Sequence, residues 1–358
     1  MEDPGATAPR DAAPSSAPEK GRRRLVLVVR IAVSVGMLWF LLTKIADSGS
    51  EALPEWTTST ALWLAGAVAL TLASIVLSAV RWQTVLHAME RPAPFPRLLS
   101  HYLAGQFVAN VLPTTIGGDV LRVSRLAQDN GRVHDSFASV VLERLTGWLV
   151  LPVITFVGLL LNPPLQQLGE ATQIAFSLAC GTLVALVLVV GAVVARRWGD
   201  MDATKGWKRF LAAVSVGLTA LRTHPRQAAS VVAVGFAYQL VLVAAAVMAA
   251  RALGIPDAGP TALLAFFPAI AIAQVLPISI SGLGVREGLF ALFLKPLGVP
   301  TGQAVALGIL LYLLNLIVSL LGAPAFAVGG RRRVDGGPTG PSDPQAPTRP
   351  RGASSVPT

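Results

Sequence analysis

Four long apolar runs without a charged residue constrain this chain more than any other feature of its sequence. They are Ala61–Val80, Thr172–Ala195, Ala228–Ala250 and Gln303–Val328. A helix needs about 20 apolar residues to cross the hydrocarbon core of a bilayer, and each run reaches that length. Two further runs qualify while carrying one and two charged residues respectively, namely Leu25–Thr43 and Ser136–Leu161. The sequence therefore predicts an all-α polytopic membrane protein with about six full transmembrane helices.

The basic residues are clustered beside these runs. Only 13% of the residues are charged, and the net charge of +10 comes from short clusters such as "GRRR" at 21–24 and Arg331–Arg333. This pattern is typical of cytoplasmic loops that face anionic headgroups, and it differs from the single basic patch of a nucleic-acid-binding protein. We predict a multi-pass protein of the cell membrane with both termini cytoplasmic and no nucleic-acid partner. Residues 1–24 and 329–358, rich in small residues and proline, are predicted to be disordered tails around a transmembrane domain at 25–328.

Two apolar segments do not fit this topology as simple crossings. Tyr102–Gly118 has basic residues on both sides, so it begins and ends on the cytoplasmic face. Thr261–Gly284 follows the fifth span and starts on the outer face. Both are predicted to be re-entrant broken-helix hairpins that enter from opposite faces. If a hairpin crosses completely, the count of crossings rises toward eight.

A segment between the fourth and fifth spans has apolar residues at helical spacing. Trp207, Phe210, Val214, Leu218 and Leu221 recur along it, with Lys208 and Arg209 beside them. This spacing predicts an amphipathic helix, which lies either at the cytoplasmic interface or against the bundle.

The two hairpin segments contain the same motif. "ANVLPTTIGGDVLR" at 109–122 aligns without gaps to "AQVLPISISGLGVR" at an offset of 164 residues, with seven of fourteen positions identical. Pro113 and Pro277 pair in this alignment, and proline removes a backbone donor and ends a helix. Repeated broken segments that enter from opposite faces are the sequence mark of an inverted-repeat transporter. We predict pseudo-repeats around 102–161 and 261–328.

The helix breaks are the predicted binding site. Unwound backbone at membrane depth is tolerated only inside protein or beside a water-filled cavity. Such a cavity can bind an anionic group through helix-end amides, with Arg122 and Arg286 as charge partners. The alternative is that each break serves helix packing alone. The residues predicted to bind substrate here are Asn110, Pro113, Thr114, Thr115, Gly117, Gly118, Asp119, Arg122, Gln274, Pro277, Ser279, Ser281, Gly282, Arg286 and Glu287.

Glu143 and Arg144 lie inside the run Ser136–Leu161 and complete the predicted site. An ionisable residue within a span is a functional hypothesis by default. We expect Glu143 to pair with Arg122 or Arg286 across the cavity, and Arg144 to extend toward the headgroups. The alternative is a buried ion pair that fixes the register of the helix.

Three stretches, "LPTTIGGDVLR", "LERLTGW" and "PISISGLGVREG", resemble the transmembrane domain of lysylphosphatidylglycerol synthases, a flippase-like family. The resemblance covers roughly Leu25–Val328 and implies a domain that moves lipid between leaflets. Because 30 residues follow the last span, we expect a stand-alone member without the soluble aminoacyltransferase domain. The family-type residues by motif position are Gly117, Gly118, Asp119, Arg122, Glu143, Arg144, Gly282, Arg286 and Glu287.

The function predicted from these features is translocation of a phospholipid or lipid-linked head group. The expected partners are membrane lipids with anionic or lipid-linked head groups, together with a second copy of the chain or a lipid-modifying enzyme. We expect no enzyme activity, cofactor or metal, since the sequence lacks HExxH, GxSxG and GxxxxGK[ST] motifs and its histidines stand apart. Two alternatives remain. One is a non-transporting subunit that scaffolds a lipid- or glycan-modifying enzyme, and the other is a lipid transferase that uses Asp119, Glu143 and Glu287 as acid or base.

Overall fold

Helices make up nearly all of the part of the chain that the structure, a computed structural model, describes: residues 39, 43, 56–111, 117–195, 206–275 and 282–331. They are α1 (Thr58–Ala88), α2 (Phe95–Val111), α3 (Gly117–Asn130), α4 (Val133–Leu161), α5 (Glu170–Ala195), α6 (Gly206–Thr223), α7 (Pro225–Ala252), α8 (Pro260–Gln274), α9 (Val285–Leu294), α10 (Thr301–Ser319) and α11 (Gly322–Arg331). Short 3₁₀ turns follow α4 and α9. The described ranges contain no strand, so the predicted all-α fold is confirmed.

Five of the predicted spans appear as helices long and apolar enough to cross a membrane. They are α1, α4, α5, α7 and the segment Thr301–Val328, which comprises α10 and most of α11. The run Leu25–Thr43 and both predicted tails lie outside the described residues, apart from Trp39, Thr43 and residues 329–331 at the end of α11. The total of six crossings therefore stays a prediction.

The last apolar run is interrupted, where the sequence pattern predicts one continuous helix. The Leu320 carbonyl accepts a bond from the Ala323 amide at 2.9 Å, and the Leu321 amide donates to the Val318 carbonyl at 3.2 Å. Both bonds have three-residue spacing. Pro324 explains the change, because its ring nitrogen has no hydrogen to continue the four-residue ladder to Leu320. Helix α10 therefore ends at Ser319 and α11 begins at Gly322.

The repeat extends well beyond the fourteen residues in which the sequence shows it. Adding 164 to the bounds of α1 through α4 gives 222–252, 259–275, 281–294 and 297–325, which match α7, α8, α9 and α10–α11 in order. The helices of each unit thus recur in length and sequence position. The inverted orientation of the two units in the membrane stays a prediction.

The turns that end α1 and α7 are the same turn at the same offset. After α1, the amides of Met89, Glu90 and Arg91 donate to the carbonyls of Val85, His87 and Leu86. After α7, the amides of residues 253, 254 and 255 donate to the carbonyls of residues 249, 251 and 250. The central residue has positive φ in both turns, 55° at Glu90 and 69° at Gly254. Two such turns at one offset indicate a repeated unit that begins with α1.

Each unit packs through one glycine against the second-helix backbone of the other unit. A Cβ at Gly158 of α4 would clash with the backbone of Ala265 in α8, and a Cβ at Gly322 of α11 would clash with the Leu103 carbonyl in α2. Gly158 and Gly322 are themselves 164 residues apart. Reciprocal contacts of this kind are what a two-fold relation between similar units produces.

Substituting Gly158 by alanine is expected to destabilise the protein by about 1–3 kcal/mol, because the new methyl group meets rigid backbone. The matched control is Gly181→Ala in α5, where nothing lies within 4 Å of the added Cβ. That change is expected to be neutral or stabilising, since alanine is the better helix former. Thermal unfolding in detergent compares the two, and equal melting temperatures would contradict the close packing of α4 on α8.

Helix α6 packs against the bundle, which decides between the two placements left open for the amphipathic segment. Ala213 and Val214 are buried with Ala138 and Val141 of α4, and Gly217 lies against the Leu142 side chain. Trp207, at the start of α6, remains half-exposed. The apolar face predicted from the spacing is therefore the packed face.

Candidate functional site

The helices α2 and α3 form a tight hairpin that positions the first set of charged residues. Gly105 and Gly118 face each other so closely that a Cβ at Gly118 would clash with the Gly105 carbonyl. Helix α2 ends at Val111 and α3 begins at Gly117, so the helix is interrupted where the motif predicts it. Pro113, Thr114 and Thr115 lie in the interval 112–116, outside the described residues. The hairpin brings Arg122, one turn into α3, against α1 and α4.

Glu143 is the centre of a buried ion network that joins three helices. Its side chain is fully buried, and one carboxylate oxygen accepts from Nη2 of Arg122 at 2.6 Å. The other oxygen accepts from Nη2 of Arg81 in α1. The predicted pairing of Glu143 with Arg122 is confirmed, and Arg81 is a second partner that the sequence did not indicate. Two guanidinium groups on one carboxylate satisfy the condition under which a buried ion is tolerated.

Arg122 is enclosed by this network and by aromatic rings. Its guanidinium carbon lies 4.3 Å from the ring centroid of Trp82 and 4.5 Å from that of Tyr102. It also contacts Asp119 at 3.4 Å, the predicted pairing three residues apart on one helix. Only 2% of Arg122 is exposed, and the aromatic rings hold a cation there by their quadrupoles. This arginine is therefore a structural centre of the network.

Arg144 forms a bidentate pair with Asp119, and the prediction that it extends toward the headgroups is wrong. Its Nη2 donates to Asp119 Oδ1 at 2.8 Å, and its Nε donates to Oδ2 at 3.1 Å. Adjacent helix positions point about 100° apart, so Arg144 cannot reach the partners of Glu143 and pairs with α3 instead. The Arg144 side chain stays half-exposed, at 49%. The pair ties the start of α3 to α4.

The second hairpin solves the same problem with a different carboxylate. Arg286 donates through Nη2 to Oε1 of its neighbour Glu287 at 2.7 Å, and its guanidinium carbon lies 5.1 Å from the Tyr312 ring centroid. The other Glu287 oxygen accepts from the Gly284 amide at 2.6 Å, which caps the start of α9. Gly282 has a φ of 73°, and a Cβ there would lie 2.8 Å from the Gln274 side chain. Pro277, Ser279 and Ser281 lie in 276–281, outside the described residues.

A cavity of about 260 Å³ lies among α1, α2, α4 and α7–α10. Three arginines from three helices line it: Arg81, Arg144 and Arg286. The remaining polar lining consists of amide, phenol and hydroxyl side chains, namely Gln106, Gln239, Gln274, Asn315, Tyr238, Thr71 and Ser74. None of the described residues that line the cavity is a carboxylate. The cavity is therefore rich in hydrogen-bond donors and in positive charge.

Two donors beside the cavity lack a hydrogen-bond partner within the described part of the chain. They are Nε of Arg81 and Nε2 of Gln239, and both residues are 4% exposed. An unsatisfied buried donor costs free energy, about 1–3 kcal/mol for a neutral group and more for a charged one. A ligand with acceptor oxygens in this cavity would satisfy both.

The comparison with known families now applies to this architecture. Residues 27–322 match the family described as Lysylphosphatidylglycerol synthase TM region. The chain belongs to that family. The comparison with curated proteins gives no match. As a member of the lysylphosphatidylglycerol synthase TM region family, the chain is a multi-pass membrane protein of lipid modification or translocation.

In this family member the structure divides the predicted site residues into three groups. Arg144, Gln274 and Arg286 line the cavity. Asp119, Arg122, Glu143 and Glu287 lie behind it in ion pairs, and Asn110 donates to the cavity residue Asn315 at 3.5 Å. The glycines at 117, 118 and 282 lie at the starts of α3 and at the turn before α9, where they allow close packing.

Several cavity residues escaped the sequence analysis, Arg81 foremost. Arg81 follows an uncharged run directly, so we assigned it to a cytoplasmic flank. The signal that could have found it is the stretch "RWQTVLHA", which has no helix breaker, so the helix continues through it to Ala88. At 31 residues α1 is about 46 Å long, well beyond the bilayer core. Gln106, Tyr238, Gln239 and Asn315 are uncharged single residues and gave no signal.

A second cavity lies where the first hairpin meets α11, but its charged groups already have partners. Asp129 accepts from His101 at 2.7 Å and contacts Arg97 at 3.8 Å. Arg125 donates to the carbonyls of Ala325 and Phe326 at 2.9 Å. Burial lowers the pKa of His101, against the hydrogen bond to Asp129, which raises it. These contacts describe a closed structural cluster, and the central cavity remains the candidate site.

Proposed function

We propose that this protein translocates an anionic phospholipid or lipid-linked head group between leaflets, with the head group held in the central cavity. The observation that supports this is the convergence of Arg81, Arg144 and Arg286 on one cavity of a membrane protein. Arginine presents a planar fork of donors that matches phosphate oxygens in a bidentate manner. Three such groups at one place are the donor set that a phosphate head group requires.

The two repeat units share the cavity, which supports transport in particular. Arg81 and Arg144 belong to the first unit, and Gln239, Gln274 and Arg286 belong to the second. In repeat transporters the substrate lies at the interface between repeats, and movement of one repeat against the other changes the face to which the site opens. We propose the same arrangement here, in the cell membrane with both termini cytoplasmic.

The proposal assigns no covalent chemistry to the site. Glu143, Asp119 and Glu287 each accept from at least one arginine. A carboxylate held by arginine is stabilised in its ionised form and is a poor proton donor. These residues therefore act as counter-ions that hold the cavity arginines in place.

The test is a transport assay in proteoliposomes with a fluorescent anionic phospholipid and leaflet-selective quenching. Arg286→Gln is expected to lower the transport rate about tenfold, because loss of a charge-assisted hydrogen bond costs about 1.5–3 kcal/mol. Arg286 is the cavity arginine of choice, since its pairing partner Glu287 is adjacent and keeps its bond to the Gly284 amide.

The matched control is Arg132→Gln at the start of α4. This arginine is half-exposed and lies 3.6 Å from Asp135, so its removal takes the same charge from the surface. Transport by the control is expected to equal that of the unsubstituted protein. Equal rates in all three proteins, with folding verified by monodispersity, would overturn the assignment of the cavity.

A further inference from the structure

The charges around the cavity do not balance, and the excess has a definite size. Arg81, Glu143, Arg122, Asp119 and Arg144 form one connected chain of ion pairs. Three arginines face two carboxylates in this network, so it carries one excess positive charge. The remaining pair, Arg286 and Glu287, is neutral by itself.

The hairpin tips do not change this count. Residues 112–116 read "LPTTI" and residues 276–281 read "LPISIS", and neither segment contains an ionisable side chain. The excess charge faces the cavity, because Arg81 and Arg144 line it while Glu143 and Asp119 do not. A buried excess charge is costly until a counter-ion reaches it.

We infer that the head group of the substrate is a phosphodiester monoanion that carries a neutral, hydroxylated group. This inference rests on the proposed function and specifies its substrate class. One negative charge neutralises the network, whereas a phosphomonoester with a second negative charge would leave an excess of the opposite sign. A zwitterionic or aminoacylated head group brings an ammonium group toward three arginines, and that juxtaposition is repulsive.

The remaining lining fits a polyol or sugar. Side-chain amides both donate and accept hydrogen bonds, as hydroxyl groups do. Four of them line the cavity, namely Gln106, Gln239, Gln274 and Asn315. The volume of about 260 Å³ lies just below the usual range of about 300–1,000 Å³ for ligand pockets. It fits a head group, with the acyl chains outside.

The test measures binding of four dioctanoyl lipids to the purified full chain in detergent. They are phosphatidylglycerol, lysyl-phosphatidylglycerol, phosphatidylcholine and phosphatidic acid. Phosphatidylglycerol is the monoanionic diester with a neutral polyol, and its Kd is expected to be at least about tenfold below those of the other three. Each of the others differs from it by an ammonium group or by a second ionisation on phosphate.

A substitution that adds one negative charge to the cavity sharpens the test. Gln239→Glu cancels the excess charge and is expected to raise the Kd for phosphatidylglycerol about tenfold and to narrow or reverse its advantage over lysyl-phosphatidylglycerol. Gln274→Glu makes the same change from α8 and serves if the first variant does not fold. The matched control is Gln167→Glu, an exposed position outside the cavity, which is expected to change neither Kd.

The outcomes separate the two claims. Arginine-dependent binding in which lysyl-phosphatidylglycerol, phosphatidylcholine or phosphatidic acid equals or exceeds phosphatidylglycerol would overturn the substrate class and leave the proposed function standing. Binding of every lipid that is unchanged by Arg286→Gln would overturn the cavity as the site, and the substrate class with it. Selective binding of phosphatidylglycerol that is lost in Gln239→Glu supports both.

Discussion

Replacing Glu143 by glutamine is expected to lower the free energy of unfolding by about 3–5 kcal/mol, the largest effect on stability for any single residue of the site. The carboxylate is fully buried and accepts from both Arg81 and Arg122, which are 4% and 2% exposed. Glutamine keeps the shape and removes the charge, so two buried guanidinium groups lose their common counter-ion. The excess positive charge around the cavity rises from one to two.

Unfolding in detergent, followed by heating or denaturant, measures this effect against a carboxylate on the same helix. Asp135 of α4 pairs with Arg91 at 2.8 Å, and both side chains are partly exposed. Asp135→Asn is therefore expected to cost less than about 1 kcal/mol, as exposed ion pairs do. Similar losses for Glu143→Gln and Asp135→Asn would contradict the view that Glu143 anchors the network.

The double variant Arg144→Gln/Arg286→Gln is expected to lower lipid transport at least about a hundredfold, from the loss of two charge-assisted contacts of about 1.5–3 kcal/mol each. Both residues line the cavity, and both pair with a carboxylate that lies behind it. Removing the two cations changes the net charge of the site from one positive to one negative. The cavity would then repel the anionic group that it is proposed to hold.

The measurement is the transport rate in proteoliposomes, normalised to the amount of folded protein. Arg132→Gln combined with Arg91→Gln removes two arginines from partly exposed surface pairs and is the matched control. A control rate that falls as far as that of the cavity variant would show that charge in general, and not the cavity, governs the rate.

The sequence predicts the spans and the helix breaks well, because these depend on local properties. Uncharged runs of sufficient length give α1, α4, α5 and α7. The repeated motif marks the interruptions after Val111 and Gln274, since the prolines and glycines act within their own segments. The break after Ser319 also has a local cause in Pro324, but the uncharged run concealed it.

The ion-pair partners are less predictable, because they depend on which helices pack together. Glu143 meets Arg81 across 62 residues, and no periodicity connects the two. Arg122 and Arg286 match in the alignment, yet Arg122 is enclosed by Trp82 and Tyr102 while Arg286 faces the cavity. The difference follows from the positions paired with Glu143 and Arg144, which are Leu307 and Gly308 in the second unit. Only the packed structure shows which arginine remains open to a ligand.

The most direct measurement is leaflet-resolved transport by the unsubstituted protein in proteoliposomes, with labelled phospholipids and polyprenyl-phosphate sugars as substrates. The account predicts that at least one anionic head group crosses faster than in protein-free liposomes, and that Arg286→Gln slows this movement about tenfold. Transport rates equal to those of protein-free liposomes across the whole panel, from folded protein inserted in both orientations, would contradict it.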